Sequence, residues 1–121
     1  MTTLNEFGLS DWTMNDLRSV FRRHPKVRKV ILFGSRAKGN FRIGSDIDLA
    51  LVGEGIDHEE LLRIYNDIDD LGLLYKVDLL HYEEKRGTPI GEHIDRAGKV
   101  FYQQKPIISE EGGGRSETQG S

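Results

Sequence analysis

Three aspartates stand where a folded chain seldom leaves carboxylates. Asp46 and Asp48 are two positions apart, and Asp48 runs directly into Leu49, Ala50, Leu51 and Val52; Asp78 sits between Val77 and the pair Leu79 and Leu80. Desolvating an ionised carboxylate is expensive unless a partner or a metal compensates it. On a strand, residues two apart project from one face, so Asp46 and Asp48 share a side, and a neighbouring strand carrying Asp78 adds a third acid. Carboxylates crowded in this way repel, and a divalent cation is the usual remedy. Ligands that are all oxygen favour Mg²⁺ or Mn²⁺. Each acid also has a plainer local reading. Asp46 reads as a strand-start residue behind Gly44 and Ser45, and Asp78 as the partner of Lys76, two positions earlier. Asp48 has no lysine or arginine on its side of the strand to neutralise it.

A second element lies upstream. Gly34 and Ser35 end a buried apolar run and open a short helical turn. Glycine lets backbone approach a ligand closely, and N–H groups at such a turn donate to phosphate oxygens. Arg36 and Lys38 add positive charge beside it, which makes all four residues candidates for holding nucleotide phosphates. A strand followed by Gly-Ser is common as an ordinary turn and gains meaning only beside the acids. Other chemistry-bearing residues are less specific. His24, His58, His81 and His93 show no metal-ligand spacing and read as surface or boundary residues. Trp12 reads as packing under the first helix, and Tyr65 and Tyr102 as core.

The elements that must position these groups follow from apolar spacing and capping residues. Thr13 to Asp16 resembles a capping box, and Met14, Leu17, Val20 and Phe21 recur at helical spacing until Pro25, which predicts a helix over 14–23. Residues 27–33 and 46–52 read as buried strands. Asp57 with Glu60 caps a second helix, whose Leu61, Ile64, Tyr65, Ile68 and Leu71 draw an apolar stripe as far as Gly72. Residues 75–82 read as a third strand. Thr88 and Pro89 open a last helix, with Ile90, Ile94 and Ala97 facing inward before Gly98, and residues 99–103 add a short strand. The pattern predicts an α/β (α+β) domain: a small mixed sheet with flanking helices over 1–105. The composition of 106–121 is too poor in apolar groups to support packing, which predicts a disordered tail.

The 121 residues fit one domain. No cysteine is present, which excludes a disulfide framework, a thiolate zinc site and a cysteine nucleophile. No apolar run approaches the length of a membrane span, and the sequence predicts a cytoplasmic protein without membrane contact. The net charge of -3 argues against direct nucleic-acid binding, which depends on releasing counterions from phosphates. One basic cluster, Arg22, Arg23, Lys26, Arg28 and Lys29, reads first as a solvated helix end and second as a docking patch for an acidic partner.

Together these residues carry a resemblance. Gly34-Ser35, ten intervening residues, then Asp46-Ile47-Asp48 matches the Gly-Ser-x10-Asp-x-Asp signature of the DNA polymerase β nucleotidyltransferase superfamily, and FGSRAKGNFRIGSDIDLALV closely resembles its minimal nucleotidyltransferase (MNT) branch. The resemblance spans about Val27 to Tyr102. It implies a polymerase-β-type fold in which Gly34 and Ser35 hold a nucleoside triphosphate and Asp46 and Asp48 bind two Mg²⁺ ions. Asp78 would complete the site, ligating one metal and helping to deprotonate the incoming hydroxyl. The implied reaction is metal-assisted attack on an NTP α-phosphate. Minimal nucleotidyltransferases are similar to the antitoxin half of two-gene modules whose other half is a HEPN-type ribonuclease toxin, which implies AMP transfer from ATP to a partner hydroxyl (AMPylation). A chain this short has no acceptor domain of its own, so a second copy or another protein should supply the acceptor. Two other readings stay open: a non-catalytic antitoxin that acts by binding, and a small-molecule nucleotidyltransferase of the antibiotic-modifying kind.

Overall fold

A computed structural model describes residues 4–42 and 44–104; the tail expected over 106–121 lies outside the described residues. The elements run α1 (Asp11–Arg22), β1 (Lys29–Phe33), α2 (Ser35–Lys38), β2 (Ile47–Val52), α3 (His58–Asp69), β3 (Val77–His81), α4 (Tyr82–Lys85), α5 (Pro89–Ala97) and β4 (Lys99–Gln103). The expected α+β architecture is present, with a four-stranded mixed sheet in the order β3-β2-β1-β4. β1 runs antiparallel to both β2 and β4, whereas β2 and β3 are parallel. A parallel pair needs a long crossover, and α3 supplies it.

Helices cover both faces unequally. α1 and α3 close the larger core, built from Leu17, Val20, Phe21, Ile64 and Ile68 against Val30, Leu32, Ile47, Leu49, Leu51 and Val77. On the opposite face only Phe33, Ala50 and Ile94 form a buried cluster, with Ile31, Leu80 and Tyr82 at its margin. Strand alternation decides which residues fall on which face. Asp48 shares parity with Ala50, and Asp78 with Leu80, so both acids lie on the thinly covered face.

Local starts and stops differ from the sequence expectation in instructive ways. Ser10, and not Thr13, caps α1: its hydroxyl accepts the Thr13 N–H at 3.3 Å and meets the Thr13 hydroxyl at 2.9 Å. Thr13 is the residue that receives the cap, which moves the start three positions earlier. Asp57 caps α3 as expected, accepting the Glu60 N–H at 2.8 Å, and Thr88 caps α5. Trp12 is 67% exposed and does not pack under α1. Tyr65 lies largely outside the core and Ile90 is exposed, while Tyr102 does pack against the core. His24 is buried and not a surface residue: its two ring nitrogens meet Glu60 at 2.9 Å and Asp67 at 2.7 Å, joining the end of α1 to α3. No helix among the described residues is long and apolar enough to cross a membrane.

Candidate active site

The sheet register assembles the site. Phe33, the last residue of β1, pairs with Asp48, and Asp48 pairs with Asp78 across the parallel ladder. The turn that follows Phe33 therefore meets the two acids at one end of the sheet. Gly34 adopts φ 78°, ψ -155°, a conformation essentially reserved for glycine. A Cβ placed there would lie 2.4 Å from Asp48 Oδ2. Glycine is thus required twice over, for the backbone conformation and for the room it leaves the carboxylate. Ser35 follows, half-buried, as the first residue of α2.

The three acids differ in exposure and in freedom. Asp46 is exposed and stands one residue outside β2; Asp48 is half-buried. Burial first, then the like charges of Asp78 and Asp46 and a shared hydrogen bond with Asp78, push the Asp48 carboxyl above its ordinary range. The Lys76 ammonium lies 3.9 Å from Asp78, with the two side chains 66% and 47% exposed, so solvent screens most of the compensation it offers. Among the described residues no three His, Cys, Asp or Glu side chains are gathered into a ready-made cation cage. The donor set nevertheless suits a hard cation: its ligands are carboxylate oxygens, their mutual repulsion is only partly relieved, and Mg²⁺ is commonly held by one or two carboxylates together with substrate phosphates and water. Asp48 and Asp78 are the pair brought side by side, with Asp46 at their margin.

The basic residues divide. Lys38 is exposed. Arg36, expected to lend charge to a phosphate, is instead 2% exposed and turned inward. Its Nε and Nη2 donate to the Ser45 carbonyl at 3.1 and 2.9 Å and its Nη1 to the Phe7 carbonyl at 2.7 Å. Its guanidinium lies 5.2 Å from the Phe41 ring centre and 4.8 Å from that of Tyr75. Sequence reasoning missed this role because Phe7 and Tyr75 lie far from Arg36 in the chain, and a cation after Gly-Ser reads most simply as a phosphate ligand.

One hollow touches an acid, and a larger one lies away from the site. One of about 250 Å³, lined by His58, Leu61, Leu62, Tyr65, Asp78 and Leu79, opens at the outer edge of β3. A larger one of about 860 Å³ lies along β4 beside Arg18 and Arg22, at the opposite edge of the sheet, so volume alone does not mark the chemistry.

Known structures share this arrangement of elements. The chain is similar to one in a crystal structure of a toxin–antitoxin with AMP-PNP, at a TM-score of 0.62 and 23% identity over 76% of this chain and 74% of the other. It is also similar to one in a crystal structure of the toxin–antitoxin MntA-HpeT, a mutant carrying two aspartate-to-glutamate changes two positions apart, at a TM-score of 0.60 and 21% identity over the same shares. At these identities the likeness is one of fold. None of the curated proteins matches the sequence. Residues 15–107 match the family described as polymerase beta, nucleotidyltransferase, a stretch that includes the Gly34 turn and all three acids, and the chain belongs to that family.

Proposed function

We propose that this chain transfers AMP from ATP to a hydroxyl group of a partner protein, and that the partner is a HEPN-type ribonuclease toxin for which the chain serves as antitoxin. The observation that carries the reading is the room that Gly34, lacking a Cβ, leaves for the Asp48 carboxylate, together with the register that sets Asp48 beside Asp78. It brings a Gly-Ser turn and paired acids to one end of the sheet. Two of the similar folds come from toxin–antitoxin structures, one with AMP-PNP, which favours an adenine nucleotide and a protein partner.

In this reading Gly34 and Ser35 hold the triphosphate, with Lys38 supplying charge from the exposed end of α2, and Asp46, Asp48 and Asp78 hold Mg²⁺, two ions in all. Bound there, Mg²⁺ would neutralise charge on the attacking and leaving oxygens of an in-line displacement. Asp78 accepts the proton of the acceptor hydroxyl. The acceptor oxygen then bonds to the α-phosphorus, the bond from that phosphorus to the β-phosphate's bridging oxygen breaks, and pyrophosphate leaves. The hollow against Asp78 is lined mainly by Leu61, Leu62, Tyr65 and Leu79. Such a lining suits the side chain of a protein better than a sugar or a polar antibiotic, which favours a protein acceptor in this reading. Orientation by a bound partner supplies effective concentration that the short chain alone lacks.

Mass spectrometry of the partner co-expressed with this chain checks the proposal. An adenylyl group should appear on the partner and be absent when the chain carries Asp46→Asn. A partner that remains unmodified yet is still inhibited by the Asp46→Asn chain would establish the binding-only antitoxin instead. Nucleotidylation of a small molecule with no partner bound would establish the antibiotic-type reading.

A further inference from the structure

We propose that Arg36 is a positioning residue that fixes Asp46 and the entrances of both acid-bearing strands, and that it does not touch phosphate. The inference rests on the reading of the acids as a metal site and deepens it.

The contacts of the guanidinium with Ser45, Phe41 and Tyr75 lie on segments that lead into the site, and Nη1 anchors it to the Phe7 carbonyl ahead of α1. Ser45, whose carbonyl takes two parallel hydrogen bonds from Nε and Nη2, immediately precedes Asp46. Asp46 lies outside the β1–β2 ladder, so no strand pairing holds it. The turn before it is closed on itself, with the Ser45 N–H donating to the Arg42 carbonyl at 3.0 Å and the Ser45 hydroxyl accepting the Arg42 N–H at 2.8 Å. Arg36 ties that closed turn to the body of the protein. Tyr75, whose ring lies against the guanidinium, comes three residues before Asp78, and the adjoining entrance is pinned by the Ile47 N–H donating to the Lys76 carbonyl at 2.9 Å. Arg36 itself follows Ser35. One planar cation thus connects the Gly34–Ser35 turn with the approaches to Asp46 and Asp78.

The partners are carbonyls and aromatic faces, not a carboxylate. Burial draws the Arg36 pKa down, while Tyr75 and Asp46 oppose that shift. Gly8 completes the enclosure, since a Cβ there would lie within 3.0 Å of both Phe41 and Nη1. A lysine could keep the charge but could not direct two N–H groups of one rigid fork at a single carbonyl while contacting both rings.

Arg36→Lys, Tyr75→Leu and Tyr75→Phe test the proposal, with Mn²⁺ affinity measured by calorimetry and ATP affinity measured in EDTA. Groups that orient metal ligands typically alter metal affinity 10- to 100-fold. Arg36→Lys and Tyr75→Leu should therefore weaken Mn²⁺ binding by about tenfold or more and leave metal-free ATP affinity within about twofold, while Tyr75→Phe, which keeps the ring, should bind Mn²⁺ as the wild type does. Should Arg36→Lys fail to fold by circular dichroism, the Tyr75 pair decides by the same measurements. Unchanged Mn²⁺ affinity in the folded variants would overturn the positioning role, and lost ATP affinity in EDTA would make Arg36 a phosphate ligand. A wild type that binds no Mn²⁺ would overturn the metal-site reading and the inference together.

Discussion

Between Asp46 and Asp78, the Asp48 carboxyl is held above its ordinary value of 3.8 by burial and then by like charge. A carboxyl whose pKa is raised by folding binds its proton more tightly in the folded state. Its contribution is therefore most favourable below pH 3.8 and is lost as pH rises through the raised value. At neutral pH without metal, Asp48→Asn should melt above the wild type, and it should not show the rise in melting temperature that Mn²⁺ gives the wild type. Equal Mn²⁺ shifts in the two proteins would remove Asp48 from the metal site. Gly34→Ala should act in the opposite direction. Its backbone conformation costs other residues roughly 1–3 kcal/mol, which is about 4–8 °C per kcal/mol in a domain of this size. The new methyl must also displace the Asp48 carboxylate, so Mn²⁺ affinity should fall along with the melting temperature measured by differential scanning fluorimetry. These acids were legible in the sequence because ionised groups inside apolar runs demand compensation. The inward turn of Arg36 was not, because it depends on Phe7, Phe41 and Tyr75 meeting in space.

The elements themselves follow mostly from local spacing. The stripe of α3 is readable because Ile64 and Ile68 recur at helical intervals and are buried; Tyr65, next to Ile64, is turned outward by the 100° step between adjacent helical residues. α3 carries the crossover that makes β3 parallel to β2, and so it sets the register that pairs Asp48 with Asp78. Ile64→Ala, at a fully buried position, should cost about 2–5 kcal/mol. Urea unfolding monitored by circular dichroism would measure this, and a loss under 1 kcal/mol would mean that α3 carries less of the core than its burial indicates. α4 escaped sequence reading because Tyr82–Lys85 is a single turn with no apolar period of its own. The early start of α1 escaped because Ser10 and Thr13 both offer plausible caps, and only the contact between their hydroxyls shows which one caps the helix.

At the scale of the whole molecule, the sheet's unequal cover explains how so small a chain presents chemistry. The larger core is closed by α1 and α3, while the face bearing Asp48 and Asp78 has a small cluster around Phe33, Ala50 and Ile94 and is open at its acid end. The composition of Pro106 to Ser121 offers almost no apolar surface after Ile108 to offset the entropy of ordering. A chain stopped after Lys105 should accordingly melt where the full chain melts, and a drop of many degrees would assign the tail a docking role. The central claim is that the Gly34 turn and the three acids move a nucleotidyl group and not a terminal phosphate. Incubating the chain and its co-expressed partner with Mg²⁺ and ATP labelled at either the α- or the γ-phosphorus tests this most directly. The account predicts that α-label becomes fixed in protein, that γ-label leaves in pyrophosphate, and that Asp46→Asn abolishes both. Fixation of γ-label, or of neither label by a wild-type pair that binds ATP, would contradict it.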